Sequence, residues 1–411
     1  MSQHNAPVAR RLEAVRYEIR GALARRAHEL EADGREIVKL NIGNPGAFGF
    51  DTPPHLRAAV LGNLAASDAY AHQQGLAAAR EAIAARERAR GAAGADAANV
   101  FVGNGVSELI DLSLRALLDD GDEVLVPSPD YPLWTASTTL NGARAVHYPC
   151  HATAGFVPDP DEVEALVTPR TRALVVISPN NPSGAVYPRE TLAALARVAA
   201  RHRLVLMADE IYDEIVYDDA AYVPLASLAP DVLCLTYGGL SKVHRACGWR
   251  VGWVSLSGAI AQAREYRQAL ELLASMRLCS NVPAQHAIVP ALNGDATIRA
   301  LTSPGGRLFE TRAAVIAACR RSEFLSLVPP RGAIYAFPGV DPRRVPGFDD
   351  ARFALELLEC ESVLVTPGSG FNVPYRNHFR ITLLPEPARV AEVFERIERV
   401  VGSMARSRQV A

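Results

Sequence analysis

Lysine is almost missing from this sequence: of 43 basic residues only Lys39 and Lys242 are lysine, and the rest are arginine. Paired cysteines are missing too. The six cysteines, at 150, 234, 247, 279, 319 and 360, form no CxxC pair. Their spacing reads as free thiols in a reducing compartment and argues against disulfides or zinc. The ten histidines are dispersed with no HExxH or similar spacing, so no metal is expected. The longest apolar runs, such as Leu174–Ile177 and Leu204–Ala208, fall far short of the roughly 20 residues a bilayer crossing needs. The N-terminus, MSQHNAPVARRLEAVRYEIR, shows no apolar signal core, so a cytoplasmic protein is expected. A net charge of −2 offers no electrostatic case for nucleic acid or a membrane surface.

What is present is ordinary soluble composition, 49% hydrophobic and 21% charged, in a chain of 411 residues. That length implies one large domain and a smaller one. The rarity of lysine gives the two that remain a special weight. Arginine stays protonated and cannot form a Schiff base, whereas lysine can lose its proton and attack a carbonyl. On composition alone, chance survival and a chemical role are equally open.

Residues 10–32 show helical periodicity, with Leu12, Val15, Ile19, Leu23 and Leu30 on one side. A strand-like run, Ile37–Ile42, and a Gly/Pro-rich loop at Gly43–Gly46 follow. From about 55 to 300, helical stretches alternate with seven short apolar runs: Asn99–Val102, Glu123–Val126, Arg144–Tyr148, Ala173–Ile177, Leu204–Ala208, Val232–Thr236 and Val251–Ser255. Continuous hydrophobicity and alternation with helices predict an α/β fold with a seven-stranded, mainly parallel sheet. After 300 a helix is expected near Arg307–Arg321. Strands are expected at Ala333–Phe337, Val363–Val365 and Phe379–Leu383, and a last helix carries Val390, Val393, Phe394, Ile397 and Val400. The expected division is an N-terminal arm with part of the small domain (1–50), a large domain (51–306) and a small α+β domain (307–411).

Five polar loops fall just past predicted strand ends, the edge where open α/β sheets bind ligands. They are Gly103–Ser107, Pro129–Pro132, Pro179–Gly184, Asp209–Tyr212 and Gly238–Lys242. The first reads G-x-G-x-x-E, without the third glycine of a dinucleotide fingerprint. It suits either a phosphate at a helix N-terminus or an ordinary capping turn. Asp209 ends an apolar strand, where it is either a helix cap or the counter-ion of a cationic ring nitrogen. At about 4 Å and an effective dielectric near 20, that pair is worth roughly 4 kcal/mol, or about three pKa units. Tyr212 and Asn181 could each bond a phenolate oxygen. Tyr131 could stack on a flat ring or simply pack. Arg250, between Gly248-Trp249 and Val251-Gly252, is expected to be partly buried and to want an anion. Alternation puts Arg380 on the face opposite Phe379, Ile381 and Leu383, and from spacing alone it reads as a surface arginine.

These residues resemble the class I/II aminotransferases of pyridoxal 5'-phosphate (PLP) fold type I. The motifs that carry the resemblance are Asn41-Ile42-Gly43, Tyr70 with Gly75, Gly103–Ser107, Pro129–Tyr131, Asn180–Gly184, Asp209–Tyr212, Ser241-Lys242 with Arg250, and Phe379–Ile381. They span most of the chain in the family's order. NPSG here stands where the family usually has NPTG, which keeps a hydroxyl. Within the family, Tyr17–Gly21, GNGVSELI, PSPDYPLWTAS, GLSK and ASMRLCSNVPAQHAI look most like bacterial alanine aminotransferases. The resemblance implies PLP as cofactor and Lys242 as Schiff-base lysine and proton shuttle. It implies Asp209 at the pyridine nitrogen, Asn181 and Tyr212 at the ring oxygen, and Tyr131 on the ring. Gly105, Val106, Ser107, Ser241 and Arg250 would serve the phosphate end, and Arg380 the substrate α-carboxylate, with Gly43 and Asn181 also touching substrate. Tyr70 would reach the phosphate in the neighbouring subunit of a homodimer with shared active sites.

The expected reaction is ping-pong exchange between L-amino acids and 2-oxo acids, foremost L-alanine with 2-oxoglutarate. With lysine so scarce, the cation for a distal carboxylate is expected to be Arg20, beside Tyr17 on the N-terminal arm. Alternatives are an aminotransferase for aromatic, aspartate or branched amino acids, or a PLP-dependent carbon–sulfur β-lyase. A PLP-binding regulator is disfavoured, because only about 45 residues precede the large domain and they hold no basic recognition helix.

Overall fold

The computed structural model describes residues 7–17 and 21–407. After β1 (Val38–Lys39), the seven apolar runs become β2 (Val100–Gly103), β3 (Glu123–Ser128), β4 (Arg144–Pro149), β5 (Thr171–Ile177), β6 (Val205–Asp209), β7 (Leu233–Gly239) and β8 (Gly252–Gly258). They form one sheet in the order β2-β8-β7-β6-β5-β3-β4. Every neighbouring pair is parallel except those of β8, which runs against both β2 and β7. The mainly parallel α/β fold is as expected.

The inner strands are apolar throughout because both faces are covered. Along β5, Leu174 and Val176 join an apolar layer with Leu125 and Leu206. Ala173, Val175 and Ile177 point the other way, into a layer with Val124, Val126 and Met207. Alternation with a period of two divides the strand, and a helix roofs each face. Leu192, Leu195 and Ala199 of the helix Arg189–His202 cover the first layer. Leu109, Ile110 and Leu114 of the helix Val106–Arg115 cover the second.

The reversed strand gathers the site. Because β8 runs backwards, its first residue lies beside the last residues of its neighbours: Gly252 pairs with Gly103 of β2 and with Gly239 of β7. Arg250, just before β8, therefore reaches the same edge as the loops that leave β2, β3, β5, β6 and β7.

The remaining strands are short. They are β9 (Leu325–Ser326), β10 (Tyr335–Ala336), β11 (Gly339–Val340), β12 (Val363–Leu364), β13 (Thr366–Pro367) and β14 (Phe379–Thr382). β14 lies between β10 and β13, and β9 pairs with β11. The N-terminal segment joins this part of the molecule, since Val38 of β1 pairs with Val363 of β12. Phe353, Phe379, Ile381, Val393 and Ile397 share its apolar cluster. The helices Arg307–Arg321 and Pro387–Ser407 stand where periodicity predicts them. The two-residue strands β9, β11 and β13 are too short to show any periodicity in sequence.

One expectation about the helices fails. The periodic stretch 10–32 is not one helix. Arg10–Ala14 is a 3-10 turn, Val15 is extended, and the α-helix is Ala22–Ala32. The two halves answer to different surfaces. Arg11 bonds Asp120 at 2.9 Å, beside the large sheet, whereas Ala27 and Leu30 pack with Leu358 and Leu364. One straight helix could not serve both. Among the described residues no helix is long and apolar enough to cross a membrane.

Candidate active site

A cleft of about 700 Å³ opens at the gathered strand edge. Its walls come from the large sheet, from the segment after β1 and from β10 and β14. Of the residues selected from sequence, Tyr17, Gly43, Val106, Ser107, Tyr131 and Asn181 line it, as do Asp209, Tyr212, Ser241, Lys242, Arg250 and Arg380.

Asp209 is the last residue of β6 and pairs with Ile177 of β5. Alternation along β6 sets it on the Met207 face, under the helix Leu133–Leu140. From there Trp134 Nε1 donates to Asp209 Oδ2 at 3.1 Å. No helix follows Asp209, so it is not a helix cap; the backbone N–H of Ile211 approaches Oδ1 at 3.4 Å. Burial pushes this carboxyl up to about 6, against the opposing effects of the Trp134 and Ile211 bonds and the charge of Lys242. It is a buried acid short of a cation.

Lys242 follows β7 after only two residues, Leu240 and Ser241. Its Nζ donates to the Gly43 carbonyl at 2.7 Å and lies 3.9 Å from Cys247 Sγ. Tyr212 is buried, and its hydroxyl donates to the Tyr335 hydroxyl at 3.0 Å. Burial, then the neighbouring Tyr335, holds the Tyr212 phenol well above its ordinary value, so it stays protonated. The Tyr131 hydroxyl is 3.1 Å from that of Tyr17, which brings the N-terminal arm to the cleft.

Arg380 is only 1% exposed, contrary to the reading from spacing. Period two separated the faces of β14 correctly, but both faces are buried: one packs in the core and the other walls the cleft. The guanidinium lies 4.3 Å over the Tyr335 ring and 4.7 Å over Phe371. Nη1 donates to Asn181 Oδ1 at 2.9 Å, Nη2 donates to the Asn41 carbonyl, and Nε has no hydrogen-bond partner among the described residues. None of its hydrogen-bond partners among the described residues is a carboxylate. Burial lowers its pKa below the usual arginine value. An anion delivered here would pair a charge buried in the cleft wall.

The opposite end is built for another anion. Gly105 precedes the helix Val106–Arg115 with φ +86°, and a Cβ there would meet Arg250 Nη2 at 2.2 Å. The helix start offers N–H groups without helical partners, and its dipole favours negative charge. Arg250 itself is exposed rather than partly buried. It adopts a left-handed φ of +53°, and its Nη atoms donate to the carbonyls of Cys247 and Asn104. That turn aims the side chain at the helix start rather than into the core.

Tyr70 does not line the cleft; it is 79% exposed on this chain. Arg20 lies outside the described residues. Trp134 and Tyr335 escaped the sequence reading. Each is an aromatic in an apolar stretch, and nothing in its spacing marks the polar bond it makes.

PLP carries a basic ring nitrogen, a phosphate and an aldehyde. The cleft offers a buried carboxylate for the first, a helix start with Arg250 for the second and a lysine amine for the third. The donor set fits this cofactor, and Arg380 remains for a further anion.

The family described as aminotransferase class I and II matches residues 35–397. The alanine aminotransferase of Mycobacterium tuberculosis is 49% identical over 388 residues, which cover 94% of this chain and 90% of that protein. Glutamate-pyruvate aminotransferase AlaA of Escherichia coli is 48% identical over 375 residues, 91% of this chain and 93% of that one. The crystal structure of an Escherichia coli aminotransferase superposes with a TM-score of 0.95 at 45% identity, covering 97% of this chain and 98% of the other.

Proposed function

The chain belongs to the class I and II aminotransferases, and on that footing we propose that it exchanges an amino group between L-alanine and 2-oxoglutarate, giving pyruvate and L-glutamate. The observation that carries the reading is Arg380, a buried guanidinium with no carboxylate partner among the described residues, in the same cleft as Lys242. The choice of alanine and glutamate is supported by relatives with those names at 48–49% identity.

PLP, when bound, supplies an aldehyde for the amino group and a ring that accepts the electron pair released at Cα. Asp209 holds the negative charge that keeps a ring nitrogen protonated. Arg380 and Asn181 bind the substrate α-carboxylate and so orient Cα. Lys242 Nζ takes the proton from Cα and returns it as a general acid. Tyr212 donates its phenol proton toward the ring oxygen, and the start of the helix Val106–Arg115, with Arg250, holds the phosphate. The two substrates use one site in turn, the ping-pong pattern.

Arg20 is the arginine proposed for the distal carboxylate of glutamate. Tyr17, three residues earlier and already at the cleft, supports that placement. An Arg20→Ala variant is expected to lose efficiency with glutamate and keep it with alanine; full glutamate efficiency would refute the role. The enzyme is proposed to act as a homodimer, with Tyr70 contributed across the interface. The test of the reaction is a half-reaction panel, in which the PLP-loaded enzyme meets single amino acids and the loss of its yellow absorbance is followed. Alanine and glutamate are expected to bleach it fastest. An enzyme bleached by aspartate or phenylalanine but not by alanine would overturn the assignment.

A further inference from the structure

Both lysines of the chain line the same cleft, although only 23 of the described residues do so. Lys242 has its role. Lys39 has none in the reading above, yet it too was kept as lysine where arginine supplies every other side-chain cation of this kind.

Lys39 closes β1, paired with Leu364. Two residues on, the Asn41 carbonyl accepts a hydrogen bond from Arg380. Lys39 and Arg380 line the same cleft, with Asn41 buried between them in sequence and the Lys39 side chain 50% exposed. The two carboxyl carbons of an extended five-carbon dicarboxylate are roughly 5 Å apart, four carbon–carbon bonds of about 1.5 Å in a zigzag. An ammonium on a flexible four-carbon stem in the same cleft suits the second carboxylate of a substrate whose first is on Arg380.

The ammonium already has a carboxylate partner. Lys39 Nζ lies 2.7 Å from Glu31 Oε1, on the helix Ala22–Ala32 that follows the arm. His28 Nδ1 is 3.7 Å from the other oxygen of Glu31. A pair this exposed exchanges partners at little cost. We propose that Lys39 is a specificity residue: its ammonium leaves Glu31 for the distal carboxylate of 2-oxoglutarate or glutamate, while Arg380 holds the α-carboxylate. Alanine and pyruvate carry no group that reaches it. The proposal rests on the alanine–glutamate reading and adds to Arg20 a second cation, one that lies among the described residues.

The test compares kcat/KM for the glutamate and alanine half-reactions in the PLP-loaded wild type, Lys39→Gln and Glu31→Gln. For Lys39→Gln the glutamate-to-alanine ratio is expected to fall roughly tenfold, the loss of one charge-assisted hydrogen bond. For Glu31→Gln, which frees the ammonium, the ratio is expected to rise, and the glutamate rate to become more sensitive to salt. The opposite directions separate recognition from damage to β1. If both substrates fall together in both variants, or if neither ratio moves while wild type still uses glutamate and alanine, the Lys39 proposal is wrong and the reaction assignment stands. If wild type is not bleached by glutamate, both fail. Should Lys39→Gln not fold, the rise in Glu31→Gln still decides.

Discussion

Asp209 and Arg380 are the two side chains whose burial makes little sense without a ligand. Each is a charge held in a nearly dry site with hydrogen bonds but no ion-pair partner of opposite sign among the described residues. Removing a charge from water costs several kcal/mol unless it is paired, so their placement stores a preference for a ligand cation and a ligand anion. For Asp209 the consequence is measurable. Its folded-state pKa of about 6 lies above the ordinary 3.8, so the folded, cofactor-free chain binds this proton more tightly than the unfolded chain does. The group's stabilising contribution is therefore present below about pH 4 and is lost as pH rises through about 6. In urea unfolding, cofactor-free wild type is expected to lose about 3 kcal/mol relative to Asp209→Asn between about pH 4 and about pH 7. PLP, by supplying the cation, should shrink that loss. A gap that stays constant with pH would show that Asp209 is not buried as described. At Lys242 the test is chemical. Lys242→Arg keeps the charge but cannot give up its proton, so it is expected to fold with unchanged circular dichroism and melting temperature yet fail to turn over more than once.

At the scale of elements, the reversed strand β8 and the helix Val106–Arg115 together make the anion end of the cleft. The helix start is held against Arg250 through Gly105, where any side chain would collide with the guanidinium and require an unfavourable positive φ. Gly105→Ala is expected to weaken PLP binding about tenfold or more and, because the collision is present without the cofactor, to lower the stability of the cofactor-free chain by about 1–3 kcal/mol. Titration of that chain with PLP, followed by fluorescence, measures it; unchanged affinity would separate Gly105 from the phosphate. Strand β14 teaches the complementary lesson. The alternation Phe379, Arg380, Ile381 was legible, and so was the side on which Arg380 lies. That this side faces a cleft and not water depends on Tyr335, Phe371 and Asn41, which are between 9 and 339 positions away in sequence. No local pattern encodes such a neighbour.

The whole molecule presents an apolar surface near Tyr70. Leu61, Leu64, Tyr70, Leu272, Met276 and Leu278 are all exposed, and the bond from Gln73 to Glu271, 3.2 Å long, ties the two segments side by side. A concentration of large apolar side chains in water marks an interaction surface, and it contains the tyrosine proposed to act in a neighbouring subunit. If that is so, two damaged chains should repair one another. Lys242→Ala and Tyr70→Ala homodimers are each expected to be impaired; after unfolding and refolding together, heterodimers should regain activity, because one of their two sites has both residues intact. No recovery in the mixture would place Tyr70 outside the site.

Read alone, the sequence determined the α/β class, the seven strands and the loops at their ends, because periodicity and turn chemistry are local. It also singled out Lys242 as a candidate, because in a chain that uses arginine for nearly every cation a lysine after a strand end stands out chemically. Only the tertiary structure decided that residues 10–32 break into a turn and a helix, that Arg380 is buried, that Arg250 is exposed, and that Trp134 and Tyr335 belong to the site. It also put the second lysine, Lys39, in the cleft of the first. Those outcomes depend on which surfaces meet across long stretches of chain, and burial, with the charge costs that follow from it, exists only once they have met.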